Sequence, residues 1–200
     1  MKSIIISSGI TGIGIRIFTA CNNLKSVSLP GSVTSIGDSA FAIFEDTIGV
    51  VHGLEQITIP SSVKSIGDYA FCGTKLTEIT IPSSVTSVGE YVFRDCARLK
   101  KARIDSSIIG AFMFTSCSAL SSLTISAKCK SIGANVITYC SSLETITYEG
   151  TIAQWNAIQK PNNWMSSGQH YYNNYLKKIQ CTDGYLEYDT ENYTWIEVKS

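Results

Sequence analysis

The apolar positions of this chain recur with a period of about 23 residues. Two neighbouring copies, residues 54–71 and 76–93, match at nearly every apolar position. Each copy opens with a leucine followed by two isoleucines that flank one polar residue, as in Ile57 and Ile59. This alternation predicts a short strand whose isoleucines face a single core. Copies of the pattern begin near residues 1, 24, 54, 76, 99, 120 and 143.

Other positions after the strand also recur in each copy, and each set of equivalent positions forms a column. A proline ends the strand in three copies, because proline has no N–H to donate to a β-ladder. Glycine recurs once per copy, which predicts either a positive φ or a close approach of two backbone segments. Four residues after the glycine comes a large apolar side chain. The glycines are Gly14, Gly37, Gly67, Gly89, Gly110 and Gly133, and the apolar positions are Phe18, Phe41, Phe71, Phe93, Phe114 and Ile137.

No single copy can bury its own apolar stripe, so the sequence predicts a solenoid whose coils stack and share one core. Two copies depart from the period. The second is about seven residues longer and carries residues 44–53 as a predicted loop. The copy that begins at Leu99 is about two residues short between Ile104 and Ile108. Loops of a solenoid are places where binding specificity can reside.

The pattern changes after residue 148, which predicts a cap. Residues 151–154 have the form of a helix capping box, and Ile152, Trp155 and Ile158 follow at helical spacing. A short helix here, ended by Pro161, would cover the exposed end of the last coil.

The last residues predict a small sheet. Residues 176–182 and 185–189 flank Asp183-Gly184, a hairpin signal, and residues 193–198 would add a third strand. The predicted organisation is therefore a solenoid over residues 1–148 and an α+β cap over residues 149–200.

The recurring motif Leu-x-x-Ile-x-Ile-Pro-x-Ser-Val-x-x-Ile-Gly-x-x-Ala-Phe resembles the BspA-type leucine-rich repeat family of bacterial and protist surface proteins. Residues 146–158 are similar to the motif that ends such repeats, and the resemblance covers about residues 1–165. It implies a leucine-rich-repeat solenoid of strands, turns and short helical segments, exposed at the cell surface and adhering to host proteins or other cells. The family has no catalytic residues to carry over. No signal peptide is evident at the N-terminus, so we expect either a cytosolic protein or a mature or trimmed chain.

Composition narrows the function classes. Sixteen Lys and Arg balance sixteen Asp and Glu, which argues against a polybasic nucleic-acid clamp. No apolar run approaches the length of a membrane span. The two histidines, His52 and His170, fall in predicted loops without a nucleophile motif beside them. We therefore expect no enzymatic activity, no metal site and no cofactor.

The seven cysteines form an odd set without a CxxC pair. Cys21, Cys96, Cys117 and Cys140 each lie three residues after the phenylalanine column. One interpretation is a ladder of small buried thiols. The other is a disulfide between adjacent coils, Cys96–Cys117 or Cys117–Cys140, although side chains of one column point the same way, which disfavours it.

Two surface features are candidate partner-binding sites. Thr58, Thr80 and Thr124 lie between paired isoleucines and should face outward, either for solubility or as a flat polar contact face. A basic cluster is either a solvated edge or a patch for an acidic partner, such as an anionic glycan or an acidic protein segment. It comprises Arg94, Arg98, Lys100, Lys101 and Arg103.

The expected function is that of a protein-interaction or adhesion module. The alternative is glycan binding by the Tyr- and Trp-rich C-terminal part, unless Trp155, Trp164 and Trp195 form the core of the cap. At the other end, residues 4–6 place isoleucines on both sides of a predicted edge strand. Such an edge should be covered by upstream residues or by self-association.

Overall fold

The computed structural model describes residues 2–44, 53–165, 175–192 and 194–199. Within them the chain forms stacked coils, each with one front strand and one back strand. The predicted solenoid is therefore confirmed. The described coils contain turns where short helical segments were expected, and the helix of the described chain is α1 (Ile152–Ala157), in the cap. Of the predicted loop at residues 44–53, residues 45–52 lie outside the described residues.

The front strands pair in parallel along the solenoid. They are β1 (Ser3–Ile5), β3 (Ser26–Ser28), β5 (Gln56–Ile57), β7 (Glu78–Ile81), β9 (Lys101–Ile104), β11 (Ser122–Ile125) and β13 (Thr145–Tyr148). The ladder is interrupted once, between β5 and β7.

The back strands form a second parallel stack. They are β2 (Gly12–Ile13), β4 (Ser35–Ile36), β6 (Ser65–Ile66), β8 (Ser87–Val88), β10 (Ile108–Ile109) and β12 (Ser131–Ile132). This stack is interrupted between β8 and β10, at the coil that is two residues short. Each sheet is thus continuous where the other is broken.

The core lies between the two sheets and is closed on one side by a ladder of aromatic rings. Five phenylalanines from successive coils stack with centroids 5.3 to 5.6 Å apart and nearly parallel planes. They are Phe18, Phe41, Phe71, Phe93 and Phe114. Four of them are fully buried, and Phe18 in the first coil is partly buried. Each ring except those at the ends therefore packs against two others, which a single coil could not provide.

A corner is the segment that joins the back strand of one coil to the front strand of the next. In the part of the corner around each phenylalanine, the backbone hydrogen bonds between coils all run in the same direction. The Phe41 N–H donates to the Ala70 carbonyl at 2.9 Å, and the Phe71 N–H donates to the Val92 carbonyl at 2.9 Å. Since Ala70 and Phe71 share one peptide group, these bonds form a continuous file from coil to coil.

Non-glycine residues in the left-handed region, not the glycines, turn the chain at this corner. The residue two positions after the column glycine has φ between 52° and 58° in every coil. These residues are Arg16, Ser39, Tyr69, Tyr91, Phe112 and Asn135. The column glycines themselves have no positive φ. Of the two explanations that the sequence allows for the glycine column, the positive φ is wrong.

Close backbone approach explains the glycines. A Cβ on Gly89 would lie 2.6 Å from the Asp68 nitrogen in the preceding coil, nearer than Cβ atoms come to a backbone atom. In the first coil, nothing lies within 4 Å of the corresponding position on Gly14. Stacking, and not the local conformation, therefore requires the glycine.

The cysteine column is a ladder of free thiols, as the first interpretation predicts. Cys117 Sγ donates to the Phe93 carbonyl at 3.1 Å, and Cys140 Sγ donates to the Phe114 carbonyl at 3.1 Å. All seven cysteines are free. Burial raises the pKa of Cys72 and of Cys140 to about 12, because a thiolate would lose its hydration there.

The cap begins with the predicted capping box. The Thr151 hydroxyl accepts from the Gln154 N–H, and the Gln154 side chain accepts from the Thr151 N–H. Trp155 packs edge-on against Tyr148 and Trp164, with centroids 5.3 and 5.7 Å away. Helix α1 thus covers the last coil through its buried tryptophan.

Two separate segments complete the cover. After α1, the Asn163 and Trp164 carbonyls accept from the Asn135 and Val136 N–H groups and continue the corner. On the front, β14 (Lys178–Cys181) pairs in parallel with β13. Antiparallel strands β15 (Gly184–Asp189) and β16 (Thr194–Lys199) then extend the same sheet.

The hairpin turn lies one residue earlier than the sequence predicts. Residues 182–183 form the turn, and Gly184 opens β15. Gly184 has φ +143°, and a Cβ there would lie 3.0 Å from the Lys199 Cα on β16. The glycine is therefore needed for contact with β16.

We predict that Gly89→Ala lowers the free energy of unfolding by about 1–3 kcal/mol, because the new methyl group must push adjacent coils apart. Gly14→Ala is the matched control, since its methyl group meets open space. Urea denaturation followed by circular dichroism measures both. Equal effects of the two substitutions would contradict a stacking role for the column.

We also predict that the buried thiols resist modification by 5,5′-dithiobis(2-nitrobenzoate) at pH 8 in the native protein and react once it is unfolded. Cys21, which is only partly buried, should react first. A thiol pKa raised on folding stabilises the protein below the unfolded pKa, near 9, and this stabilisation is lost as the pH rises toward 12. Stability should therefore fall over that interval. Rapid native modification of several thiols would contradict the ladder.

Candidate functional site

A groove of about 450 Å³ crosses the front face of the solenoid. Its walls are residues 57–59 at β5, residues 78–80 of β7, residues 101–103 of β9, and Ser122 and Thr124 of β11. The groove combines apolar side chains at its inner wall with charged and hydroxyl groups on the outward positions.

The groove lies at the interruption of the front sheet. No hydrogen bond joins β5 to β7 in the described chain, although the flanking pairs β3–β5 and β7–β9 are in register. The coils remain joined before the strands, where the Lys75 N–H donates to the Leu54 carbonyl at 2.8 Å. They are also joined on the back, through β6 and β8. The opening is therefore confined to the front.

The opening coincides with a corner that is one residue short. Leu76 follows Phe71 by five residues, whereas Leu99 follows Phe93 by six. The same spacing of six separates Phe18 from Leu24 and Phe114 from Leu120.

The structure brings together five of the eight candidate residues proposed from sequence. Thr58, Thr80, Thr124, Lys101 and Arg103 all line the groove. Thr58 and Thr80 are exposed on either side of the opening, and Lys101 is exposed on β9. The two candidate features, the threonine column and part of the basic cluster, thus occupy one surface.

Two carboxylates hold Arg103 in place. Its guanidinium donates to both Glu149 oxygens, at 2.7 and 3.0 Å, and contacts Asp105 at 2.9 Å. Hydrogen bonds from Arg103 keep the pKa of Glu149 below its usual value. The positive charge of Arg103 is therefore balanced within the protein, and the guanidinium acts as a fixed wall of the groove.

The other three candidates lie away from the groove. Arg94 is at the corner after Phe93, where it contacts Asp95 at 3.0 Å and lies 5.6 Å from the centre of the Tyr91 ring. Arg98 and Lys100 are exposed shortly before β9. Neither of these two, nor Lys101, forms an ion pair with a described residue. These three side chains thus carry positive charge without an ion-pair partner, and the neighbour of Lys101 in register on β7 is Glu78.

Sequence reasoning missed the inner wall of the groove, because it treated the isoleucines only as core. Ile57 is partly exposed, and Ile59 and Ile79 retain 6% and 5% of their surface. Glu78, which is exposed at the rim, was also missed. The short spacing between Phe71 and Leu76 is the signal that could have located this site.

The groove offers apolar, hydroxyl and charged side chains as contacts for binding. No group of three or more metal-binding side chains occurs in the part of the chain that the structure describes. His52 and His170 lie outside that part. In the described ranges, no helix has the length and apolar character needed to cross a membrane.

The three tryptophans of the cap pack in its core or against it. Trp155 and Trp164 are buried. Trp195 packs against the core, and its ring centroid lies 5.1 Å from that of Tyr188. Tyr171, Tyr172 and Tyr193 lie outside the described residues. The glycan-binding alternative therefore gains no support from the cap tryptophans.

A family profile described as the BspA type leucine rich repeat region matches residues 1–47 and 50–159 in six copies. The chain belongs to this family. The match covers most of the chain and agrees with the stacked coils. Among curated proteins, none matches this member of the BspA-type family.

The chain is similar to solved structures of low sequence identity. The leucine-rich repeat protein TpLRR of T. pallidum is 23% identical with a TM-score of 0.56, over 73% of this chain and 72% of that one. A leucine-rich cell surface protein from Faecalibacterium prausnitzii is 22% identical, with a TM-score of 0.42, over 84% of this chain and 64% of that one. A leucine-rich repeat protein from Bacteroides ovatus is 19% identical, with a TM-score of 0.44, over 91% of this chain and 61% of that one. The chain thus spans just over three fifths of the length of these last two proteins.

Proposed function

We propose that this BspA-type chain is a protein-interaction module that holds a segment of its partner in the front groove. The observation that carries the proposal is the groove itself, where the regular sheet opens beside exposed threonines and charged side chains. Its apolar inner wall can bury a partner side chain, while the rim supplies hydrogen bonds. We assign the chain no catalytic reaction.

Charge favours an acidic partner near β9. Lys101 at the groove, with Arg98 and Lys100 beside it, forms no ion pair within the described protein. Charges of this kind steer an oppositely charged partner and set the register of binding. By family membership, we further propose that the module acts at the cell surface in adhesion, with a host or cell-surface protein as partner.

We predict that peptides selected from a random phage-displayed library against this chain bind in the groove. Lys101→Glu should weaken their binding about tenfold, because it reverses the free charge at the rim. Fluorescence anisotropy with labelled copies of the selected peptides measures the dissociation constants.

Lys64→Glu is the matched control, since Lys64 is an exposed lysine beside the back strand β6. It should leave the affinities unchanged. If Lys64→Glu weakened binding as much as Lys101→Glu, or neither did, the front groove would not be the contact surface.

We also propose that a second copy covers the first coil when the 200-residue chain is taken by itself, in place of any upstream residues. Ile17 is 59% exposed, although the residues of its column are fully buried in the next coils. Ile5 and Ile15, 83% and 68% exposed, occupy columns that carry polar residues in the next three coils. Pairing of β1 in one copy with β1 in the other is two-fold symmetric, so it gives a closed dimer.

Sedimentation equilibrium should show a dimer of the 200-residue chain that dissociates when Ile5→Thr and Ile17→Ser are combined. Ile196→Thr, which removes an exposed isoleucine from β16, is the control and should stay dimeric. A monomer at all concentrations of the unaltered chain would refute the self-association.

A further inference from the structure

The opening in the front sheet presents free strand edges in the middle of the solenoid. β5 and β7 are the only adjacent front strands, among those described from β1 to β14, that do not pair. Exposed strand edges are surfaces on which another extended chain can pair.

The hydrogen bonds of the neighbouring pairs show which backbone groups face the opening. The Thr77 and Ile81 carbonyls accept from the Lys101 and Asp105 N–H groups of the next coil. Because backbone groups alternate in direction along a parallel strand, those of Glu78 and Thr80 point the other way, toward β5. An N–H and a carbonyl from each of these two residues thus border the opening.

The same alternation applies on the opposite wall. The Gln56 N–H donates to the Lys25 carbonyl of the preceding coil. The backbone groups of Ile57 and Ile59 therefore point toward β7. Their side chains, with that of Ile79, form the apolar inner wall of the groove, which a partner side chain pointing inward would contact.

Charge at this position favours a basic side chain. Glu78 is exposed at the rim, lies in register with Lys101 of β9 on one side, and makes no ion pair with a described residue. A strand paired with β7 would place one outward side chain directly beside it, where an opposite charge is favourable and a like charge is not.

We propose that an extended segment of a partner protein seats in this opening and pairs with the free edge of β7, with β-branched residues inward and a basic residue beside Glu78. The proposal rests on the proposed function and adds the binding mode: main-chain hydrogen bonds supply affinity, and alternate side chains supply specificity.

The test uses a peptide based on the chain's own front strand. The probe is a fluorescein-labelled acetyl-Thr-Lys-Ile-Thr-Ile-amide, which copies residues 77–81 with lysine in place of Glu78. We expect saturable binding, measured by anisotropy, that is weakened at least about tenfold when both isoleucine nitrogens of the peptide are methylated. Docking through side chains alone would tolerate the methyl groups, so undiminished binding would overturn the strand pairing, as would absence of binding.

A charge exchange tests the register. The unaltered protein should prefer the lysine peptide to the same peptide with glutamate, and Glu78→Lys should reverse that preference. An unchanged preference would show that the peptide does not lie beside Glu78 and would overturn the proposed register.

A backbone variant tests the edge itself. Thr80→Pro removes the N–H that faces the opening without removing a ladder bond to β9, so it should abolish binding while the thermal unfolding curve stays cooperative. Thr80→Val, which keeps the N–H, is the matched control and should bind normally. Should Thr80→Pro disturb folding, the methylated peptide on the unaltered protein decides the question.

These results separate the two proposals. Phage-selected peptides that depend on Lys101 but tolerate backbone methylation would leave the groove as the interaction surface and refute strand pairing. Selected peptides that ignore Lys101 would refute the groove as their binding surface.

Discussion

The architecture depends on how closely one turn of backbone can approach the next. Front and back ladders, the phenylalanine stack and the thiol bonds all require coils at the spacing of paired strands. The column glycine allows that spacing at the tightest point, since any side chain at Gly67 or Gly133 would meet backbone atoms of the preceding coil. Because glycine has a hydrogen atom where other residues have a Cβ, the coils come close enough for all the remaining columns to stack.

The regular stacking of coils makes the two interruptions of the sheets distinct sites on the surface. A perfect solenoid would present the same paired surface at every level. Here the short corner between Phe71 and Leu76 coincides with unpaired strands, and the short coil after Leu99 coincides with a split back sheet. Such sites combine a rigid frame with unsatisfied backbone groups, which suits recognition of an extended chain.

The sequence predicts the columns well, because each repeated apolar position has one role that is visible in its neighbours. Phe93 and Cys117 lie where the pattern places them for that reason. The front opening was not predictable from apolar periodicity, since it coincides with a change of one residue in spacing and not with a change of residue type. The Arg103–Glu149 contact joins residues 46 positions apart across an intervening strand, and only the stacking register brings them together.

Local preference also misleads at the corner. Left-handed backbone favours glycine or asparagine, yet Tyr69, Tyr91 and Phe112 adopt it. Their rings stack with centroids 4.8 and 4.5 Å apart. Arg16 and Ser39 adopt the same φ without a stacked ring, and like the tyrosines they donate a backbone hydrogen bond to the next coil, which stabilises the conformation. Tertiary packing thus overrides the propensity of the individual residue.

The peptide groups in the files of corner hydrogen bonds have their dipoles aligned along the solenoid. Peptide groups that donate and accept in the same direction polarise one another, so each added link strengthens those already formed. At the capped end, the Asn163 carbonyl accepts from the Asn135 N–H and lengthens the file that passes through Phe112. At the first coil the files stop, and the peptide groups preceding Arg16 and Phe18 are polarised from one side only. Cooperativity therefore acts across coils more than along the chain.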